Sequence, residues 1–244
     1  MLTLEDYING TQACETERDL FRLFDEFVSA FGITISSYNI IAEHLQAVPA
    51  ENTLVRETFP RDWVMHYIRK RYWEIDPISD QARRESQPFC PADLNEMRAL
   101  SARQKQFIFD LEAAGLSRGI AVPVFGPLGT TAYFGLVRVH EPLGLSRAQE
   151  LQLQYACLQT HNRYFDLANI DQTTSRKPLS PREQEVLSLV ASGLSNASIS
   201  GRMNITENTV DTLLRRVFVK LGVNNRISAV LTGLGEGLIL APPS

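Results

Sequence analysis

The sequence predicts an α+β chain in two parts: an N-terminal α-β-α sandwich around an antiparallel sheet, then an all-α domain of four helices. Three observations carry this. Strand-like runs at 33–42, 119–125 and 132–140 are flanked on both sides by helix-spaced apolar stretches, which sets helices on a mainly antiparallel sheet. The polar stretch DQTTSRKP, residues 171–178, has no apolar periodicity and reads as a linker dividing 1–170 from 179–244. Beyond it, capped helical segments follow one another without a strand signal.

Taken in order, Thr16-Glu17-Arg18-Asp19 is a cap, followed by Leu20, Phe21, Leu23, Phe24, Phe27, Val28 and Phe31 at helical spacing and stopped by Gly32. Residues 33–42 are rich in β-branched side chains and predict a strand. Pro60 opens a helix over 60–73 that carries Trp63, Tyr67 and Ile68. A further helix spans 101–114 and closes at Gly115. The strands 119–125 and 132–140 pair around the turn Gly126-Pro127-Leu128-Gly129. A long amphipathic helix over 146–169 completes the sandwich, which has room for a small molecule between sheet and helices.

In the second domain Ser180 is an N-cap, Pro181 sits in the first turn and Glu183 completes a capping box. Val186, Leu187, Leu189 and Val190 form the apolar face, and Gly193 stops the helix. Asn196 is read as the cap of a second, shorter helix holding Ile199 and Met203. Asn204 and Ile205 turn the chain, and Thr206 caps a third helix with the inner stripe Val210, Leu213, Leu214, Val217 and Leu221. Its outer face carries Asn208, Thr209, Thr212, Arg215, Arg216 and Lys220, groups suited to base edges and phosphates. A fourth helix over 224–238, with Ile227, Val230 and Leu231, suits the pairing of two protomers. A solvated face on a small bundle is the plainer reading of such charges.

Composition narrows the classes. Of 244 residues, 44% are hydrophobic and 21% charged, enough for a full core in each domain. No apolar run approaches the ~18 residues a bilayer requires, and MLTLEDYING lacks a signal pattern, so a cytoplasmic protein without a membrane partner is expected. Cys14, Cys90 and Cys157 are scattered, which disfavours a disulfide framework or a zinc site. His44, His66, His140 and His161 show no metal spacing, and no nucleophile or nucleotide motif occurs, so neither an enzyme nor a cofactor is expected. The net charge of −4 divides into −7 over 1–175 and +3 over 176–244, which suits DNA contact confined to the second domain, although +3 on a module of that size also arises by chance.

The string PREQEVL, Gly193-Leu194-Ser195-Asn196, Ile199, Ile205-Thr206-Glu207-Asn208-Thr209-Val210 and Lys220-Leu221-Gly222-Val223 resembles the LuxR-type helix-turn-helix over nearly 60 residues. The resemblance implies a dimer that binds a palindromic operator. Asp211 stands where the family has a basic residue; it either repels phosphate or accepts from a cytosine. A receiver domain ahead of this reader is excluded because the fivefold βα alternation is absent.

Residues 59–77, FPRDWVMHYIRKRYWEIDP, place Trp63 and Tyr67 on one helical face with Asp76 at the helix exit. An indole, a phenol and a carboxylate around one cavity suit a small amide; the plainer reading is core packing with Asp76 as a cap. The segment is similar to the autoinducer-binding domain of LuxR quorum-sensing regulators. The similarity implies that Trp63, Tyr67 and Asp76 contact an N-acyl-homoserine lactone, and Gly115 matches a frequent family glycine. It also implies a lining of Phe59, Ile78, Cys90, Tyr38, Phe134 and Leu136. Phe59, Ile78 and Cys90 depart from the family's tyrosine, small hydroxyl residue and tryptophan, which shifts the expected ligand preference. Arg138, on the strand face of Phe134 and Leu136, points either into the pocket or out at the strand end. The alternative function is a degenerate sensor that dimerises and binds DNA without a ligand.

Overall fold

A computed structural model describes residues 2–41, 54–126, 130–168 and 178–240. The chain divides into two compact units, Met1–Ile170 and Asp171–Ser244. All but Pro178 of the expected linker, and residues 127–129 of the expected turn, lie outside the described residues.

The first unit begins with a helix that the sequence reading passed over. In α1, Leu4–Ala13, Thr3 and Asp6 form a reciprocal capping box, and the buried Tyr7 anchors the helix. Helix α2, Glu17–Ser29, is capped by Thr16 as expected and buries Leu20, Phe21, Phe24, Phe27 and Val28. Strands β1 (Ile35–Ile40), β2 (Leu54–Glu57), β3 (Ile120–Phe125) and β4 (Thr131–Val137) form one antiparallel sheet in the order β2-β1-β4-β3. The short edge strand β2 gave no alternation signal over its four residues. It is held to α2 by Arg56, which pairs with Asp25 and lies over the Phe21 ring.

Helices α1, α2 and α7 (Arg147–Leu167) cover one sheet face. Helices α3 (Arg61–Arg69), α4 (Pro77–Ala82), α5 (Leu94–Met97) and α6 (Ala102–Ala113) belong to the other side. The expected helix over 60–73 is shorter. It ends at Arg69, and Arg71 takes a left-handed conformation (φ 52°) before a separate 3-10 turn at Tyr72–Glu74.

The first face is a dry aromatic core of Tyr7, Phe24, Phe27, Tyr38 and Phe134. Tyr38 and Phe134, register partners on β1 and β4, stack with centroids 4.6 Å apart. His161 of α7 is wholly buried there, bonded to the Tyr38 hydroxyl at 2.7 Å and to Thr130 at 3.2 Å. Burial without a counter-charge pushes its pKa down to about 4.

The second unit is four helices: α8 (Pro181–Ala191), α9 (Asn196–Met203), α10 (Glu207–Leu221) and α11 (Arg226–Gly235). The Ser180–Glu183 capping box is present. The cap of α9 is Ser195 instead of Asn196, because the Ser195 side chain accepts from the Ser198 N–H. Asn204, left-handed at φ 53°, makes the turn into α10, where a residue with a Cβ other than Asn is strained. Leu213 is only half-buried; Val210, Leu214, Val217 and Leu221 form the inward stripe. Glu183, buried at 3% exposure, receives a 2.6 Å salt bridge from Lys220, whose ammonium also donates to the Pro178 carbonyl. Burial alone would raise the Glu183 pKa; the Lys220 and Ser180 bonds outweigh it and hold it low.

Two predictions follow from these buried groups. The folded His161 holds its proton less tightly than the unfolded one, so stability is full above pH 6.5 and is lost as pH falls toward 4. The loss approaches about 3 kcal/mol, and chemical denaturation of His161→Gln across that range should show a flatter profile than the parent chain. Lys220→Met leaves Glu183 buried without its cation, and calorimetry should show the second unit destabilised by on the order of 2 kcal/mol.

Candidate functional site

The second sheet face is hollow. Between β1, β3 and β4 on one side and α3, α4 and α6 on the other lies a cavity of about 460 Å³ with a mostly apolar wall. Phe107, Leu111, Leu116, Ala121 and Val137 supply its apolar part, and Trp63, Tyr67, Asp76 and Tyr133 its polar end.

Asp76 is the chemical centre. It caps α4: Oδ1 accepts the Ile78 N–H at 2.8 Å, while Pro77 fixes the first turn. Oδ2 accepts two phenols, Tyr67 from α3 at 3.1 Å and Tyr133 from β4 at 3.2 Å. Burial raises the Asp76 pKa, and the bonds from Ile78, Tyr67, Tyr133 and the Ser79 N–H recover only part of that cost. Burial and the nearby carboxylate push both phenols up as well, so they remain donors.

Trp63 is 7% exposed, and no described residue accepts from its indole N–H. Its ring stacks on His66 with centroids 5.9 Å apart and tilts against Phe107. Arg69 donates to His66 Nδ1 at 3.2 Å; a guanidinium can only donate, so Nδ1 is bare and Nε2–H points to Asp110 at 2.6 Å. Burial pushes the Asp110 pKa up, but the bonds from Tyr72, His66 and Gln106 prevail and leave it lowered. This brace holds the tryptophan against the cavity.

Phe59, Trp63, Tyr67, Asp76 and Ile78 all stand on the cavity wall. Five other expected residues do not. Tyr38, Phe134 and Leu136 project to the opposite face, into the core under α2 and α7. Their strands alternate as expected, but both faces are covered, so the pattern did not reveal which one is hollow. Arg138 is at the strand end, where it donates to the carbonyls of Gly32 at 3.0 Å and Phe31 at 3.3 Å. There it satisfies two carbonyls of the turn that follows α2. Cys90 is half-buried, bonded through Sγ to the Ser117 carbonyl, and its neighbour Pro91 lines the wall instead. Tyr133 was missed, and its signal was the same alternation read in the other phase.

On α10, Asn208, Thr209, Thr212, Arg215 and Arg216 are exposed. Arg215 is paired with Asp211 at 2.8 Å, so Asp211 is spent within the helix. Lys220, expected on the same face, is turned inward to Glu183. Arg216 has no ion pair among the described residues.

No group of three or more His, Cys, Asp or Glu able to hold a metal occurs among the described residues, and no described helix is long and apolar enough to cross a membrane.

Residues 16–167 match the family described as "Autoinducer binding domain", and residues 177–232 match "Bacterial regulatory proteins, luxR family". The transcriptional activator protein AnoR of Acinetobacter nosocomialis is 26% identical over 238 residues, covering 96% of this chain and 98% of AnoR. The crystal structure of Escherichia coli SdiA superposes with a TM-score of 0.72 at 20% identity, covering 97% of this chain and 98% of SdiA. The structure of CepR2 from Burkholderia cenocepacia, described as an N-acylhomoserine lactone dependent LuxR family transcription factor, reaches 0.51 at 19% identity, covering 69% of this chain and 96% of CepR2. The chain belongs to the LuxR family of bacterial regulatory proteins: it is a quorum-sensing transcriptional regulator with an autoinducer-binding domain and a helix-turn-helix DNA-binding domain, and not an enzyme.

Proposed function

We propose that the cavity binds an N-acyl-homoserine lactone, and that ligand binding controls a cytoplasmic homodimer that binds a palindromic operator. One observation carries the reading: a buried carboxylate, Asp76, stands beside an indole N–H and two phenols on the wall of a mostly apolar cavity. A secondary amide next to a carbonyl complements that set. Asp76 accepts the amide N–H, Trp63 donates to the lactone carbonyl, and Tyr67 lies near the acyl carbonyl. Phe59 and Ile78 close the site with apolar contact, and the acyl chain runs along Phe107, Leu111 and Leu116. The lactone dependence given for CepR2 agrees with this ligand class.

Two apolar surfaces favour the dimer. On α7, Leu151, Tyr155 and Leu158 lie at helical spacing and face outward, and on α11, Ile227 and Leu231 are 74% and 63% exposed. Val230 does not join them, being packed against the core of the reader. In the DNA complex Arg216 and Arg215 contact phosphates or base edges, with Asn208, Thr209 and Thr212 beside them.

Thermal melting against a panel of lactones tests the ligand. At a hundredfold excess over Kd the stabilisation is about 2.7 kcal/mol, a shift of several degrees; no shift with any member overturns the reading. Asp76→Asn should lose roughly ten- to a hundredfold in affinity. The same variant should melt higher without ligand. The folded carboxyl holds its proton more tightly than the unfolded one, so its stabilising contribution fades as pH rises through the folded pKa, and the neutral amide avoids that loss. For the reader, Arg216→Ala should lower the slope of log affinity against log salt by about 1, while Lys220→Met leaves it unchanged.

A further inference from the structure

The cavity wall carries a second polar pair, separate from Asp76. Ser37 and Asn39 lie two apart on β1, so both project to the cavity face, and both line it. The Asn39 amide donates to Ser37 Oγ at 3.1 Å, and among the described residues no other hydrogen bond reaches either side chain. With the amide in this orientation, the Ser37 O–H and Asn39 Oδ1 remain free. Turned over, it frees an amide N–H and a Ser37 lone pair. Either way one donor and one acceptor face the cavity. The residue opposite Ser37 in register is Gly135, and a Cβ built there would stand 2.7 Å from Ser37 Oγ. The serine hydroxyl is uncovered because the facing strand has no side chain at that position. The wall around the pair includes Leu111, Leu116 and Val137, so polar capacity unmatched there is costly.

We infer that Ser37 and Asn39 form a subsite for a hydroxyl group on the acyl chain of the ligand. A hydroxyl both donates and accepts and so matches the pair fully; a ketone only accepts, and a methylene does neither. Asn39 is the register partner of Tyr133, whose hydroxyl reaches Asp76. Neighbouring strands lie about 4.8 Å apart, so the subsite is close to the amide anchor and fits a substituent near the start of the chain. The inference rests on the lactone reading for that anchor.

Calorimetric titration of the full-length protein with unsubstituted, 3-oxo and 3-hydroxy N-acyl-homoserine lactones of one chain length tests it. The 3-hydroxy compound should bind roughly tenfold more tightly than the unsubstituted one. Ser37→Ala and Asn39→Leu should each bring the three affinities to within about threefold of one another. The ratio within one variant is read, which a general weakening of the fold leaves unchanged. Equal affinities in the parent chain, or a hydroxyl preference that survives both substitutions, overturns the subsite while the lactone reading stands. Failure of all three compounds to bind overturns that reading, and the subsite with it.

Discussion

The cavity side of the sensor converges on one buried side chain. Asp76 ties the start of α4 to α3 through Tyr67 and to the sheet through Tyr133, so three elements on the cavity side meet at one carboxylate. Removing a charge from water is unfavourable, and burial raises the Asp76 pKa despite the hydrogen bonds it accepts. A polar ligand that adds a further donor recovers part of that cost only when it binds. In the proposed complex a ligand N–H at Asp76 would offset part of that burial cost, whereas a core packed with leucine at the same place would gain nothing from a ligand.

The two faces of the sheet divide stability from recognition. Under α2 and α7, stacked and tilted rings fill the space, and the polar side chains there, such as Ser36 and His161, already have partners. Under α3, α4 and α6, small residues at 119, 121 and 135 leave the cavity open. The void is bounded on its own side by a buried cluster that includes Tyr72, Leu94, Phe107 and Leu111. The His66–Asp110–Tyr72 brace has the same logic, since it holds Trp63 from the side away from the cavity and leaves its N–H free to act.

What was legible in the sequence is what local chemistry determines. Thr16, Ser180 and Thr206 cap their helices because a side-chain oxygen satisfies an N–H two or three residues on, a relation visible in a few letters. Helical spacing put Trp63 and Tyr67 on one face with Asp76 at the exit, but spacing read equally as core packing, and it was the family resemblance that marked the three as a site. The phase of β4 was not legible. Its residues TAYFGLV are mostly buried on both faces, so hydropathy does not separate Tyr133 from Phe134. Lys220 failed differently. Its partner Glu183 is 37 positions away, and Glu183 already had a visible local role in the capping box, so nothing nearby indicated that it would also draw in a cation.

The internal pairing of Lys220 and Arg215 has a consequence for DNA binding. With Lys220 turned inward, and Asp211 offsetting part of the charge of the exposed Arg215, the outward face of α10 is electrostatically modest for a reader. Each phosphate contact contributes a salt-dependent increment, so a face with few free cations binds weakly as a single copy. Joining two such faces in the proposed dimer turns the second contact into an intramolecular one, and the affinities then nearly multiply. Under that proposal, occupancy of the operator would follow the fraction of chain that is dimeric. A ligand whose only effect is to stabilise the folded sensor would thereby alter DNA binding without touching α10, which gives the cavity and the reader a common currency although each unit has a core of its own.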